Sequence, residues 1–222
     1  RGVFNFMKKL QFAVKRSVDA VFSLLAIVVL LPVFFLVALA IKFTSVGPVL
    51  YTQTRIGKNN KEFEILKFRT MVVNSAFIRN GLAVKKNDTR ITSIGHFLRK
   101  TSLDEIPQFL NVLRGDISIV GPRPGLPEQL KYLDQRQLMR TAVRPGITGL
   151  ATVNGRAAIP WSRRIEYDLL YIEKFSLWLD LTIMVRSVWV VISGQNTYFD
   201  GAHGPAFDLA NPDDLPQSRK KQ

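Results

Sequence analysis

Residues 20–41 read AVFSLLAIVVLLPVFFLVALAI, 22 positions without a charged side chain. As an α-helix this stretch is roughly 33 Å long, enough to cross the hydrocarbon core of a bilayer. Ordinary buried helices are shorter. A cleaved signal peptide would also start with basic residues, and Lys8, Lys9, Lys15 and Arg16 precede the run. The apolar core of a signal peptide, however, has only about 7–15 residues and ends in small ones, whereas Lys42 here follows a long Leu, Val and Phe stretch. Two features bear on how the segment meets the membrane. Pro32 lies near its centre, where a proline removes a backbone hydrogen bond and bends the helix. Both flanks are basic, with Lys42, Arg55, Lys58 and Lys61 on the far side. Basic flanks favour the cytoplasm. A re-entrant helix that bends at Pro32 and leaves on the side it entered satisfies both observations; a single kinked span is the simpler alternative.

Outward from this segment the chain divides into a basic stretch (1–17), the membrane helix (18–43), a larger unit (44–194) and a tail (195–222). The tail is rich in Gly, Pro and Asp and is expected to be extended. Within the larger unit, 49–56 and 63–71 read as two strands joined by the polar turn Gly57-Lys58-Asn59-Asn60. Lys67 and Arg69 are two apart on the second strand and share a face. A loose polar connection is expected over 74–90. Helical patterns run over 103–113, 127–140 and 162–175. Residues 178–192 form an apolar helix too short to span, suited either to the core or, with Trp178 and Trp189, to the membrane surface. The fold class is α+β: an N-terminal re-entrant helix, then a small, mostly helical domain with a β-hairpin and interfacial amphipathic helices.

The 222 residues carry 31 Lys+Arg against 17 Asp+Glu, a formal net charge of +14. Such a balance calls for an anionic partner: nucleic acid, anionic lipid or a phosphorylated substrate. There is no Walker A loop, no GxGxxG and no recognisable nucleic-acid motif, so ATP, dinucleotide and nucleic-acid readings lack their local signatures. With no Cys and only His96 and His203, disulfides, thiolate zinc and Cys nucleophiles are excluded. A metal would be a hard cation on oxygen ligands, Mg²⁺ first. The chain does not begin with Met, which suits a piece of a longer protein.

Chemistry could sit at Ser102-Leu103-Asp104-Glu105. Structurally this is a capping box, Ser102 as N-cap and Glu105 at N3. Functionally, two adjacent carboxylates could bind Mg²⁺, or Asp104 could act as a nucleophile, since Asp can carry an acyl phosphate. Glu105 could cap while Asp104 reacts. In Gly121-Pro122-Arg123-Pro124 two prolines fix the backbone around one arginine, giving either a rigid turn or a preorganised fork for phosphate. Lys67, Arg69, Arg144 and Arg156 are phosphate ligands or solvated charges. Glu166 and Asp168 are two apart on a helix and do not share a face.

Taken together these blocks resemble the bacterial sugar transferases, the monotopic phosphoglycosyl transferases. The similarity runs from Lys15 to Ile192. It rests on Lys15-Arg16-Ser17-Val18-Asp19, Pro32, Lys67-Phe68-Arg69-Thr70-Met71, residues 102–108 (SLDEIPQ), residues 111–116 (NVLRGD), Gly121-Pro122-Arg123-Pro124, residues 143–149 (VRPGITG) and Val153-Asn154-Gly155-Arg156. The order of eight blocks is specific where each alone is weak. Related enzymes often have Ser before the central proline; here it is Leu31. The resemblance implies transfer of a sugar-1-phosphate from a UDP-sugar to undecaprenyl phosphate, with UMP released. It implies Asp104 as nucleophile, Glu105 as metal partner or proton acceptor, Mg²⁺ held by Asp104 and Glu105, Arg123 on phosphate, and Lys67, Arg69, Arg144 and Arg156 as phosphate or nucleotide contacts. The place implied is the bacterial inner membrane with the catalytic domain on its cytoplasmic face, in contact with membrane lipid and compatible with a homo-oligomer. The product named would be the first membrane-bound intermediate of an exopolysaccharide or other glycan. A direct glycosyltransferase releasing UDP and a non-enzymatic basic membrane protein are the rival readings.

Overall fold

A computed structural model describes residues 2–73 and 88–193. The chain is a mixture of helix and sheet led by one long apolar helix, α1 (Gly2–Thr44), which is continuous through Pro32. From Leu10 to Thr44 it is long and apolar enough to cross a membrane. A hairpin follows, β1 (Leu50–Ile56) and β2 (Glu62–Phe68), antiparallel with Leu50 opposite Phe68 and Ile56 opposite Glu62. The turn uses Asn59 and Asn60 at positive φ, a conformation Asn tolerates better than most residues. The strands end where the sequence expected, except that the second stops at Phe68 rather than at residue 71.

The free edge of β2 is covered by a side chain instead of a third strand. Asn111, fully buried, accepts from the Leu66 N–H (2.9 Å) and donates to the Glu64 carbonyl (2.8 Å). It belongs to α3 (Gln108–Arg114), which crosses α1. Before it lies α2 (Ser93–Thr101), N-capped by Thr92, whose hydroxyl accepts from the Gly95 N–H at 3.0 Å. The expected helix over 103–113 is divided. Leu103–Glu105 is a single 3₁₀ turn and α3 begins only after Pro107, which cannot donate the bond that would join them.

A second, two-stranded sheet was not foreseen: β3 (Ser118–Val120) lies parallel to β4 (Gly146–Thr148), with Ser118 opposite Gly146. At three residues each, the strands leave no periodicity to read. The helix expected over 127–140 is two 3₁₀ segments flanking the short α4 (Gln135–Leu138). Then come α5 (Leu150–Val153), α6 (Trp161–Glu173) and α7 (Leu177–Ser193). Val112, Ile117, Ile119, Val120, Tyr171 and Ile183 centre the main core; Val37 and Ile41 of α1 form a second with Phe68 and Leu98. Most of the expected connection over 74–90, and the tail after 194, lie outside the described residues.

Both ends of the apolar part of α1 are docked. At the near end Phe12 stacks on Phe175 with ring centroids 4.3 Å apart. Lys15 donates to Asp180 at 2.6 Å, Arg16 donates to the last carbonyls of α3 (Val112 and Leu113), and Asp19 accepts from Ser118 Oγ at 2.6 Å. At the far end Phe34 meets Phe68 and Ile41 is wholly buried. Between them Val21, Leu25, Val29, Phe35 and Leu36 point outward. On α7, Trp178, Leu181, Val185, Val188, Trp189 and Ile192 are exposed along one stripe, while Asp180 and Ile183 face the core, so this helix has an apolar outer face.

Candidate active site

The turn Leu103–Glu105 presents the two adjacent carboxylates in different ways. Ser102 closes α2 in the left-handed conformation (φ 57°) and makes no capping bond of its own. The expected capping box is therefore absent: a left-handed residue points its hydroxyl away from the turn that follows. Its Oγ instead accepts from Arg156 Nη2 at 2.9 Å. Arg156 is itself left-handed (φ 49°), after Gly155. Two non-glycine residues at positive φ thus face each other beside Asp104, the kind of strain that collects at functional sites.

Glu105 is held from two sides. Its Oε1 accepts from Lys67 Nζ of β2 at 2.7 Å and from an Arg123 guanidinium nitrogen at 3.0 Å. Burial pushes the Glu105 carboxyl up, but Lys67 and Arg123, as charges and as donors, outweigh it and hold it well below the usual carboxylate range. Asp104 is buried and takes part in no hydrogen bond or ion pair among the described residues. Burial pushes its carboxyl up; Lys67 opposes this, Glu105 adds to it, and Arg99 and Arg123 pull it back. Arg123 reaches in from the loop after β3 with its side chain half exposed, and Arg99 of α2 donates to Thr70 Oγ1 at 3.1 Å.

Of the residues singled out from sequence, Lys67, Asp104, Glu105, Arg123 and Arg156 come together. Arg69 does not join them: its guanidinium donates to Ser45 O at 3.0 Å, to Ser45 Oγ at 2.8 Å and to Val46 O, closing the C-terminal end of α1. Arg144 donates to Gly115 O at 3.0 Å, beside the end of α3 that Arg16 also caps. The reading missed Arg99, whose only signal was a basic residue in the last turn of a short helix, and Arg55. Half-buried near Arg123, Arg55 is lowered to about 10 by desolvation and by Arg123. The result is a cluster in which positive charge converges on one available carboxylate, an arrangement suited to binding phosphate and to attack by that carboxylate.

Among the described residues no three His, Cys, Asp or Glu side chains gather as a metal cluster. Asp104 and Glu105 do fit the sparser mode of Mg²⁺ binding, with one or two carboxylates and the rest of the ligands from substrate phosphates and water.

Known proteins similar to this chain carry the names of sugar-phosphate transferases. The chain is 43% identical over 192 residues to the UDP-glucose:undecaprenyl-phosphate glucose-1-phosphate transferase of Klebsiella pneumoniae, covering 83% of this chain and 41% of that protein. It is 41% identical over 191 residues to the UDP-N-acetylgalactosamine-undecaprenyl-phosphate N-acetylgalactosaminephosphotransferase of Aeromonas hydrophila, 82% of this chain and 44% of that protein. It is 36% identical over 198 residues to the exopolysaccharide production protein ExoY of Rhizobium meliloti (strain 1021), 83% of this chain and 88% of that protein. The chain spans about two fifths of the length of several curated relatives it matches. The family model described as bacterial sugar transferase matches residues 10–194, a span that holds the docked part of the helix, the hairpin and every residue of the charged cluster, and the chain belongs to that family.

Proposed function

We propose that the protein transfers a sugar-1-phosphate from a UDP-sugar to undecaprenyl phosphate through a covalent phosphosugar on Asp104. The observation that carries this is the contrast within the carboxylate pair: Glu105 is fixed by two cations, while the buried Asp104 has no partner among the described residues and is faced by Lys67, Arg99 and Arg123. An Asp104 oxygen attacks the β-phosphorus of the UDP-sugar; the bond from that phosphorus to the bridging oxygen breaks and UMP leaves with it. An oxygen of the polyprenyl phosphate then attacks the same phosphorus, freeing Asp104 and forming the polyprenyl-diphosphate sugar. Neither step needs a proton from the nucleophile. Lys67 and Arg123 offset the repulsion between anions, and Glu105 keeps both aimed. Asp104 and Glu105 would hold Mg²⁺ with the diphosphate, where it supplies further neutralisation of charge.

The proposed setting is the cytoplasmic face of the bacterial inner membrane, with α1 re-entrant at Pro32 and the apolar stripe of α7 lying at the interface. Support comes from the docking of α1. Asp19 and Ile41 would be roughly 33 Å apart on a straight helix, about the thickness of the hydrocarbon core, yet both are buried against the same folded domain. A helix crossing the bilayer would carry one end away from that domain.

The test uses the protein in nanodiscs with Mg²⁺, undecaprenyl phosphate and a panel of UDP-sugars. Wild type is expected to release UMP with at least one sugar. Release of UDP instead would identify a direct glycosyltransferase, and neither nucleotide with any sugar would overturn the reading. Because the chain has no Cys, single cysteines at Leu10 and Phe43 report topology. Labelling of both by an impermeant reagent from one side fits re-entry, and labelling from opposite sides excludes it.

A further inference from the structure

The loop that carries Arg123 is held by its carbonyls. Pro122 and Pro124 have no N–H, so the loop cannot brace itself with those amides. Four consecutive carbonyls accept from outside it: Pro122 O from the Gly146 N–H (2.8 Å), Arg123 O from Arg140 Nη2 (2.9 Å), Pro124 O from Arg55 Nη1 (3.2 Å) and Gly125 O from the Ile56 N–H (2.9 Å). Behind Arg140 stands Asp168, which accepts from both its Nε (3.1 Å) and its Nη2 (2.5 Å). Arg140 and Asp168 are both buried. The main-chain carbonyl of the one residue that reaches from this loop to Glu105 is therefore held by a buried ion pair.

We propose that Arg140 and Asp168, with Arg55, are positioning residues that set the main chain of Arg123, so that its guanidinium is aimed at Glu105 and the substrate phosphate before substrate arrives. This rests on the reading of Arg123 as a phosphate ligand given above. The physical ground is that a buried ion pair is weak as a stabilising device, since apolar residues of similar volume do as well or better. What Arg140 supplies with Asp168 behind it, and apolar residues cannot, is a charged donor at a fixed place on the Arg123 carbonyl.

Replacing the pair together, Arg140→Met with Asp168→Leu, removes both charges and leaves neither uncompensated, so the fold is expected to survive. UMP release at limiting UDP-sugar is expected to fall roughly tenfold to a hundredfold, the scale of a misplacement of about 1 Å. In an Arg123→Ala background the same double change is expected to have no further effect, because the group it positions is gone. Wild-type turnover in the double variant, or an equal fall in both backgrounds, would overturn the inference. Should that variant fail to fold, Arg140→Lys, which keeps the charge and loses the fork, enters the same cycle. Hydrogen exchange separates this from failure of the underlying reading. The Gly146 and Ile56 amides, which donate to carbonyls of this loop, are expected to exchange faster in the variant while the amides of α6 do not, whatever the nucleotide assay shows; unchanged exchange at both rejects the clamp even if the enzyme is active.

Discussion

Two clusters of buried charge lie against the same helix and are built in opposite ways. At the foot of α1, Lys15 donates to Asp180 while lying 3.9 Å from Asp19. Asp180 also receives the Tyr171 hydroxyl at 2.8 Å, and Asp19 takes Ser118 Oγ and the Ile119 N–H. Every carboxylate there is bonded. At the turn 103–105 the cations gather likewise, but among the described residues Asp104 is left without a bond. Burial raises the carboxyls of Asp104 and Asp180 alike, with lysine opposing it in both. Titration alone thus does not distinguish a reactive from a structural aspartate; the bonds each accepts do. A fully satisfied network rigidifies, and a carboxylate kept out of such a network is available to attack.

The same substitution should act with opposite sign in the two clusters. Asp104→Asn is expected to lower UMP release by a factor of about 10⁴ or more, the scale of losing a nucleophile. It should also raise the melting temperature at neutral pH. The Asp104 carboxyl is raised in the folded state, so the folded chain keeps a proton that the unfolded chain has lost. That contribution is present at low pH and disappears as pH rises through the folded pKa, beyond which ionised Asp104 is a net cost. Asparagine removes the cost, and the gain in stability should shrink as the pH is lowered through the folded pKa. A melting curve for Asp104→Asn below that of wild type at neutral pH would break the comparison.

Asp180→Asn should do the reverse. The amide cannot balance Lys15, and breaking a buried pair from one side costs about 3–5 kcal/mol. Unfolding should shift by that order, with the folded fraction still forming the phosphosugar at the wild-type rate. Loss of turnover without loss of stability would move Asp180 into the reacting cluster.

The sequence exposed the outline of the molecule and the members of the charged cluster more readily than the division of labour among them. The apolar run, the hairpin and the helix over 162–175 are long or periodic enough to read. The parallel pair β3 and β4 is not, since three residues carry no period. The resemblance led to Asp104, Glu105, Lys67, Arg123 and Arg156, which the fold gathers. Capping by Ser102 was a sound local argument that lost to tertiary context, in which a left-handed backbone turns the hydroxyl toward Arg156. Glu166 and Asp168 look equivalent as letters, yet one pairs with Arg136 in solvent and the other is sealed behind Arg140. Which face of α6 is buried decides between them, and that is set by residues far away in the chain.

The smallest expected effect tests the division most finely, because it concerns two residues that the sequence placed on one strand face, although β2 ends at Phe68 between them. Lys67 and Arg69 are separated by a single residue, but Lys67 binds Glu105 while Arg69 closes α1 through Ser45 and Val46. Gly47 lies beside that guanidinium at φ 121°, where a Cβ would strike it. Arg69→Gln removes charged donors from carbonyls at a helix end and should cost about 1–3 kcal/mol. The charge lost belongs to the helix terminus, so the KM for UDP-sugar should stay within a factor of about two of wild type, less than 0.5 kcal/mol at RT ln 2. Lys67→Gln should show the converse, a raised KM or lowered kcat with little change in melting. If Arg69→Gln raises the KM at unchanged stability, its guanidinium leaves α1 to meet the substrate, and the end of the membrane helix is then coupled to the reacting cluster.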